Sequence, residues 1–145
     1  MNEIIKGLYL GDMSDAHTKG MTTLSVMWAG EEGEGPFDKH IETTKWTGKS
    51  IDVRTVASPE AMNEAADWIR DHLLFPEPVL VYCAFGMERS PLTIAWYLMR
   101  HKGYTIDEAY RLLKGRRPMV QDRRHWLPEN WKESLYAGLD FSEHL

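Results

Sequence analysis

The sequence predicts an α/β domain in which a central, largely parallel sheet is flanked by helices. Strand-like and helix-like patterns alternate along the chain, which is typical of this class. The tetrapeptide VLVY at 79–82 is continuously apolar, as expected for a parallel strand that is covered on both faces. The chain has 145 residues, and a domain usually contains about 100–200. We therefore expect one domain over residues 1–145.

The first half of the chain predicts two strands and a short helix. IIKGLYL at 4–10 and the β-branched TTLSVMW at 22–28 are typical of strands. Ser14 is a suitable cap for a brief helix over 14–19. Residues 29–40 are rich in glycine, proline and acids, which predicts a surface loop. We expect no phosphate site in this loop, because an anion would be repelled by Glu31, Glu32, Glu34 and Asp38.

The second half of the chain shows clearer helix signals. Ser58 is a good cap, Pro59 suits a first helical position, and the helix that follows has an apolar stripe from Met62 to Leu73. Thr105 and Glu108 form a capping box. In order, we predict the end of a strand at 50–53, a helix after Ser58 through 73, a strand at 79–82, a helix over 92–102 with Pro91 near its start, a helix over 106–114 ended by Gly115, and a helix over 128–139.

Composition excludes several classes of protein. The 17 Lys and Arg against 22 Asp and Glu give a net charge of −5, which argues against nucleic-acid binding. One cysteine permits no internal disulfide and no Cys-rich zinc site. The histidines form no metal-binding motif, so we expect no metal and no cofactor. The longest nearly apolar run, residues 92–99, is far shorter than the roughly 20 residues of a membrane span. We therefore expect a cytoplasmic protein without a membrane partner.

The single cysteine lies where a ligand site is expected. It directly follows the 79–82 strand and precedes a helix, and ligands of open α/β sheets bind beyond the carboxyl ends of the strands. Five residues separate it from an arginine, with a glycine at the centre to allow tight curvature. The predicted phosphate-binding loop consists of Cys83, Ala84, Phe85, Gly86, Met87, Glu88 and Arg89.

The chemistry that these residues support is attack by sulfur on phosphorus. Such a loop can direct successive N–H groups inward to hold an anion, and the helix N-terminus adds partial positive charge. Arg89 can bind two phosphate oxygens at once. The same field favours the thiolate of Cys83, which is the nucleophilic form. The alternative is a small buried core cysteine, but Gly86, Arg89 and Ser90 at these spacings favour a nucleophile and a covalent phosphoenzyme.

The segment VYCAFGMERSP resembles the C-x5-R-[ST] signature of cysteine-based protein tyrosine phosphatases, and most closely the small dual-specificity subgroup. IIKGLYLGD, TIAWYLM and EAYRLLKGRRP are also similar to segments of that subgroup, in the same order from residue 5 to 118. The resemblance implies the fold of that family, a phosphorylated protein or peptide as substrate, and metal-free hydrolysis in two steps. It assigns Cys83 as nucleophile, Arg89 as phosphate ligand, and Ser90 as the hydroxyl that assists phosphate release.

The general acid must come from another loop, and the candidates upstream of the cysteine are Asp38, Asp52 and Asp67. Asp67 lies off the apolar stripe of its helix, so we expect it to be solvated, and Asp38 lies in the acidic loop. Asp52 is at the end of a predicted strand, and the resembling phosphatases carry their acid at a similar place, ahead of the helix that contains AADWI. We therefore expect Asp52 to protonate the leaving oxygen and then to activate water. An acid and a thiolate in one mechanism predict a bell-shaped pH–rate profile.

One departure from the family keeps an alternative open. Tyr82 stands directly before Cys83, where the family usually has a histidine that orders the loop and favours the thiolate. The alternative function is a catalytically weak module of the same fold that binds phosphoproteins. A sulfur-transfer domain is a third hypothesis, although five residues between Cys83 and Arg89 fit phosphate better.

Other residues near the loop bear on the substrate. Phosphoinositide-directed relatives often have lysines at the positions of Met87 and Glu88, so we favour phosphotyrosine in a protein, with phosphoserine and phosphothreonine as further substrates. Phe85 is interpreted either as a hydrophobic wall or as core. His125 is interpreted as structural. A basic run either steers phosphopeptides or is a solvated helix end and loop, and it consists of Lys114, Arg116, Arg117, Arg123 and Arg124.

Overall fold

A computed structural model describes residues 1–31, 35–47 and 54–139. Short 3-10 helices occur at Met13–His17 and Arg124–Trp126. The strands are β1 Asn2–Ile5, β2 Leu8–Gly11, β3 Thr22–Ser25, β4 Lys39–His40, β5 Thr44–Thr47, β6 Arg54–Ala57 and β7 Val79–Tyr82, and the α-helices are α1 Pro59–His72, α2 Arg89–Lys102, α3 Ile106–Arg116 and α4 Trp131–Leu135.

The main sheet has the order β1-β2-β7-β3-β4. β7 is parallel to both β2 and β3, β3 is parallel to β4, and only β1 runs antiparallel to its neighbour. All four residues of β7 are buried, which agrees with its continuously apolar sequence. The prediction of an α/β fold with a largely parallel sheet is confirmed. The register aligns Tyr82 with Gly11 and Ser25, so the chain leaves β7 in the middle of the sheet's carboxyl edge.

The single strand predicted over 4–10 is wrong, because a tight turn divides it into β1 and β2. Ile5 pairs with Leu8 across this turn. Gly7 has φ +83°, a left-handed conformation that glycine adopts at little cost. A hairpin therefore replaces the longer strand.

The first helical turn is also capped differently from the prediction. The 3-10 helix begins after Asp12, whose carboxylate accepts hydrogen bonds from the N–H groups of Ser14 and Asp15. The carboxylate of Asp15 in turn accepts from the Asp12 N–H. Asp12 is the cap and Ser14 is not, since a carboxylate at this position satisfies two N–H groups at once.

Several boundaries in the first half differ from the prediction. β3 ends at Ser25 rather than at residue 28, and the predicted loop contains the two-residue strand β4. The antiparallel hairpin of β5 and β6 was not predicted, because its half-exposed strands lack a long apolar run. The strand predicted to end at 50–53 lies outside the described residues.

The helix caps predicted for the second half of the chain are confirmed, but some of the predicted helix ends are wrong. Ser58 accepts a hydrogen bond from the N–H of Ala61, and Thr105 with Glu108 forms the predicted capping box. Gly115 does not end α3, because the Arg117 N–H still donates to the Leu113 carbonyl at 2.8 Å. α2 begins earlier than predicted, and the helix predicted over 128–139 is reduced to α4.

α2 is the central helix, buried from Arg89 to Arg100. Asp67 of α1 binds it through the Arg100 Nε at 2.8 Å and the His101 Nε2 at 2.7 Å. Burial alone would raise the pKa of Asp67, but these hydrogen bonds hold it below its ordinary value of 3.8. The prediction of a solvated Asp67 is therefore correct only in part, because its side chain is 35% exposed but is bound to α2. Its ion pair with Arg100 and its hydrogen bond with His101 stabilise the contact between α1 and α2 and leave Asp67 unsuited to proton transfer.

Within residues 1–31, 35–47 and 54–139, none of the helices combines the length and the apolar composition that crossing a bilayer requires.

Candidate active site

Cys83 is the first residue beyond β7, and its side chain is buried at 2% exposure. Residues 83–88 then turn into α2, which begins at Arg89. The parallel sheet thus places the thiol at the central strand's carboxyl end, beside the N-terminus of a 14-residue helix. The orphan N–H groups of a helix start attract an anion at such a position.

The carbonyl groups of the loop are held from outside. Four consecutive carbonyls accept hydrogen bonds from residues beyond the loop: Ala84 from the Met13 N–H at 3.3 Å, Phe85 from the Arg117 Nη2 at 3.2 Å, Gly86 from the Arg117 Nε at 3.0 Å, and Met87 from the Gln121 N–H at 2.8 Å. In a planar trans peptide the next N–H points away from its carbonyl. The N–H groups of residues 85–88 therefore face the interior of the loop, an arrangement of successive amides that is suited to holding an anion.

Gly86 is required by the curvature of this loop. Its φ is +66°, and a Cβ atom there would lie 2.6 Å from the Gly11 carbonyl oxygen and 2.8 Å from the Arg117 Nη2. At distances this short one of the atoms would have to move. The Gly11 oxygen cannot move easily, because it belongs to the backbone of β2. Only glycine fits between the sheet edge and the supporting arginine.

Arg117 supports the loop from behind. It is 5% exposed, and besides its two loop carbonyls it donates to the Asn2 Oδ1 at 2.8 Å. Neither sequence interpretation of this residue, a steering rim or a solvated helix end, matches its buried position. The Arg-Pro pair in the segment EAYRLLKGRRP contributed to the resemblance, but it indicated no role, because the contact spans 31 residues.

Ser90 contacts the thiol directly. The Cys83 Sγ lies 3.1 Å from the Ser90 Oγ and accepts a hydrogen bond from the Ser90 N–H at 3.4 Å. Both groups can donate to a thiolate, and donors to the charged form stabilise it. Cys83 and Ser90 are thus in direct contact, and Arg89 lies at the start of α2, next to Ser90 in the chain.

Arg89 is held by a partner that sequence reasoning missed. Its Nη1 and Nη2 donate to the two carboxylate oxygens of Glu31 at 2.6 and 3.1 Å, and its guanidinium stacks 4.3 Å from the ring centre of Trp28. The sequence alone identifies Glu31 only as an acidic loop residue that would repel an anion. No local signal could have found this pair, since 58 residues separate its members.

The Glu31 pair leaves donors of Arg89 available for a phosphate. A guanidinium has five N–H groups, and Glu31 binds the end formed by the two terminal nitrogens. The Nε–H and the adjacent outer N–H form a second face that suits two phosphate oxygens. Burial alone would raise the pKa of Glu31, but the bonds from Arg89 hold it below its ordinary value of 4.5. The pair is therefore intact at neutral pH and is lost only as the pH falls through that lowered value.

The structure describes two of the three candidates for the general acid, Asp38 and Asp67. The Asp38 carboxylate accepts from the Thr23 N–H at 2.8 Å, and Thr23 pairs with Leu80, so Asp38 is about 10 Å along the strand from Cys83. Asp67 is bound to α2, as described above. Asp52 lies outside the described residues, between the ends of β5 and β6.

Exposure and hydrogen bonds indicate the roles of Phe85, Glu88 and Tyr82. Phe85 is 71% exposed, which favours a wall over a core position. Glu88 accepts a hydrogen bond from the Arg123 Nε at 2.9 Å. The Tyr82 hydroxyl donates to the Pro36 carbonyl at 2.9 Å, so this tyrosine fastens the β3–β4 connection to the central strand.

Among the residues that the structure describes, no group of three or more His, Cys, Asp or Glu side chains is arranged to hold an ion.

A buried thiol at the end of a central parallel strand, a loop whose carbonyls are bound from outside and an arginine at the start of the next helix form the arrangement that the resemblance to cysteine-based phosphatases led us to expect. The chain matches the family described as "Dual specificity phosphatase, catalytic domain" over residues 8–130. It therefore belongs to that family, as the resemblance implied.

Sequence relatives agree with this assignment. Dual specificity protein phosphatase MPK-4 of Drosophila melanogaster is 28% identical over 126 residues, which cover 83% of this chain and 33% of that protein. Dual specificity protein phosphatase 26 of Rattus norvegicus is 28% identical over 135 residues, covering 84% of this chain and 62% of the relative. The chain thus spans less than two thirds of these curated relatives.

Solved structures share the fold. The human tyrosine phosphatase-like serine/threonine/tyrosine-interacting protein superposes with a TM-score of 0.67 at 19% identity, covering 93% of this chain and 92% of that one. Human DUSP28 superposes with a TM-score of 0.66 at 17% identity, with the same coverage. At these identities the likeness supports the fold alone.

Proposed function

We propose that this protein is a phosphatase that hydrolyses phosphotyrosine, and also phosphoserine and phosphothreonine, in protein substrates through a phosphocysteine intermediate. The observation that carries this proposal is the loop itself. The carbonyls of residues 84–87 point outward and the N–H groups of residues 85–88 point inward, beside a buried thiol that is hydrogen-bonded to the Oγ and the N–H of Ser90. This arrangement fits a tetrahedral dianion placed next to a sulfur nucleophile.

In the first proposed step, the Cys83 thiolate attacks phosphorus and a P–S bond forms. The bond from phosphorus to the substrate oxygen breaks, and Asp52 donates the proton that the leaving oxygen needs. Arg89 and the inward amides stabilise the charge on the three remaining phosphate oxygens. The family assignment supports these roles, and the sequence position of Asp52 supports its part.

In the second step, water attacks the phosphocysteine and the P–S bond breaks. Asp52, now deprotonated, accepts a proton from the water. Ser90 donates its hydrogen bond to the departing sulfur, which lowers the cost of releasing a thiolate. The enzyme returns to its starting state with inorganic phosphate as product, and no metal takes part.

We expect an aryl phosphate to be hydrolysed in the presence of a chelator, and we expect Asp52→Asn to change the pH dependence of that hydrolysis. Without an acid the leaving oxygen departs unprotonated, so kcat should fall by about 10²–10⁴ and the basic limb of the pH–rate profile should flatten. Steady-state kinetics from pH 4 to 9 measure both effects.

Asp38→Asn is the matched control, because it removes a carboxylate that binds Thr23 instead of the loop. It should retain the bell-shaped profile. A wild-type protein without chelator-resistant activity would contradict the proposed function, and a larger loss in Asp38→Asn than in Asp52→Asn would contradict the choice of acid.

We expect Glu31→Gln to weaken substrate binding. An amide binds the Arg89 guanidinium less strongly than a carboxylate does, so the phosphate-facing donors lose their fixed orientation. Hydrogen bonds to charged groups contribute about 1.5–3 kcal/mol, and partial exposure reduces the effect, so kcat/KM should fall by about tenfold, mainly through a higher KM.

Glu42→Gln is the control for this variant. Glu42 bonds to the Ala29 N–H in the same connection without contacting Arg89, and its replacement should leave KM near the wild-type value. A KM that decreases in Glu31→Gln would show that Glu31 competes with the phosphate instead of orienting the arginine.

A further inference from the structure

A groove of about 490 Å³ lies beside the phosphate-binding loop. One wall is the β5–β6 hairpin, which contributes Trp46, and the other is the 3-10 helix that contains Trp126. Glu88, the last loop residue before Arg89, also lines the groove. A substrate held at the loop therefore has this groove as its immediate neighbour.

The two walls are aromatic and accessible. Trp46 is 58% exposed, and Trp126 is partly buried against the core. Exposed tryptophan is common where a protein meets a partner, because the ring supplies a large apolar contact at low entropic cost. The methylene groups of a substrate side chain can pack between these rings.

The polar groups of the groove are mainly cationic. Arg54 of β6 and Arg123 both line it, and among the lining residues that the structure describes the only carboxylate is that of Glu88. Arg123 is already oriented, since its Nε donates to Glu88 at 2.9 Å and its guanidinium lies 5.7 Å from the Trp126 ring centre. One guanidinium is in excess over the carboxylate, in a chain whose net charge is −5.

We propose that this groove binds an acidic side chain, Asp or Glu, of the protein substrate. The proposal rests on the proposed phosphatase function and names a specificity site for it. Glu88 is adjacent to Arg89, and an extended peptide advances about 3.3 Å per residue. The acidic residue is therefore within about three positions of the phosphorylated one. Its carboxylate meets Arg54 and the terminal nitrogens of Arg123, and its stem packs between the tryptophans.

The test uses paired phosphotyrosine peptides that differ by Glu against Gln at each of the three positions on either side. The measured quantity is the ratio of kcat/KM for the Glu peptide to that for the Gln peptide. At the best position the wild-type ratio should exceed unity by about two- to fivefold for each guanidinium that contacts the carboxylate, the range measured for partly exposed ion pairs. Arg54→Gln and Arg123→Gln should each reduce this ratio toward unity.

Arg111→Gln is the matched control, because it removes the same charge from an exposed position of α3 outside the groove. The wild-type ratio should persist in this variant. A wild-type ratio of unity at all six positions would overturn the proposal, and so would an equal loss in Arg111→Gln, since that result indicates general steering by charge. Hydrolysis of an aryl phosphate by the wild type is measured in parallel, so that loss of the phosphatase function itself is recognised separately.

Discussion

Cys83→Ser is expected to lower kcat for an aryl phosphate by at least about a thousandfold, or about 4 kcal/mol in activation free energy at 1.36 kcal/mol per factor of ten. A serine hydroxyl remains protonated at neutral pH, and the described surroundings of position 83 contain no base that could activate it. The loop amides and Arg89 are unchanged, so the variant should still bind a phosphotyrosine peptide. Steady-state hydrolysis and peptide titration measure the two properties separately.

The same experiment distinguishes the enzyme from a binding module. A binding module would show the same low turnover before and after the substitution, with equal affinity for the peptide. Ser90→Ala provides a second measurement, because it removes the hydroxyl that faces the departing sulfur and should slow the second step more than the first. A burst of phenol release followed by a slower steady state would demonstrate the phosphocysteine, and unchanged turnover in Cys83→Ser would contradict it.

Gly86→Ala should strongly reduce hydrolysis and also destabilise the fold. The new methyl group would lie 2.6 Å from the Gly11 oxygen and 2.8 Å from the Arg117 Nη2, so the loop must move away from its supports. Moving it exposes the buried Arg117 and breaks the bonds to two loop carbonyls. With the anion site distorted, kcat/KM should fall by about a hundredfold or more, since a displacement near 1 Å in a catalytic group has that effect.

Gly103→Ala is the control that separates the two effects expected in Gly86→Ala, steric collision and backbone strain. Gly103 has a similar φ of +72°, but no atom lies within 4 Å of the position that its Cβ would take. It should therefore lose only the roughly 1–2 kcal/mol that a left-handed alanine costs, with normal activity in the folded protein. Thermal unfolding and kinetics on both variants provide the comparison. Equal activity in the two variants would show that the loop tolerates a side chain at residue 86.

Local signals in the sequence predicted those helices and strands whose caps or apolar patterns can be recognised from a few neighbouring residues. Ser58, the apolar stripe of α1, the Thr105–Glu108 box and the buried strand VLVY each act over a few residues, and each is present in the structure. Boundaries failed where a long-range contact outweighed a local preference. Gly115 is a good helix terminator, for example, but α3 continues past it so that Arg117 reaches the loop.

The candidate catalytic residues around Cys83 were also identified from local sequence. Cys83, Gly86, Arg89 and Ser90 lie within eight residues, and a strand before them with a helix after them is sufficient to predict the loop. The sequence by itself therefore determined the class of fold and the position of the loop between β7 and α2. Only the tertiary structure showed that Glu31 orients Arg89, that Arg117 holds the loop carbonyls outward, and that Trp46 and Arg123 border one groove. The physical reason is distance along the chain: these contacts join residues that are 31 to 77 positions apart, and neither periodicity nor spacing carries information on such pairs.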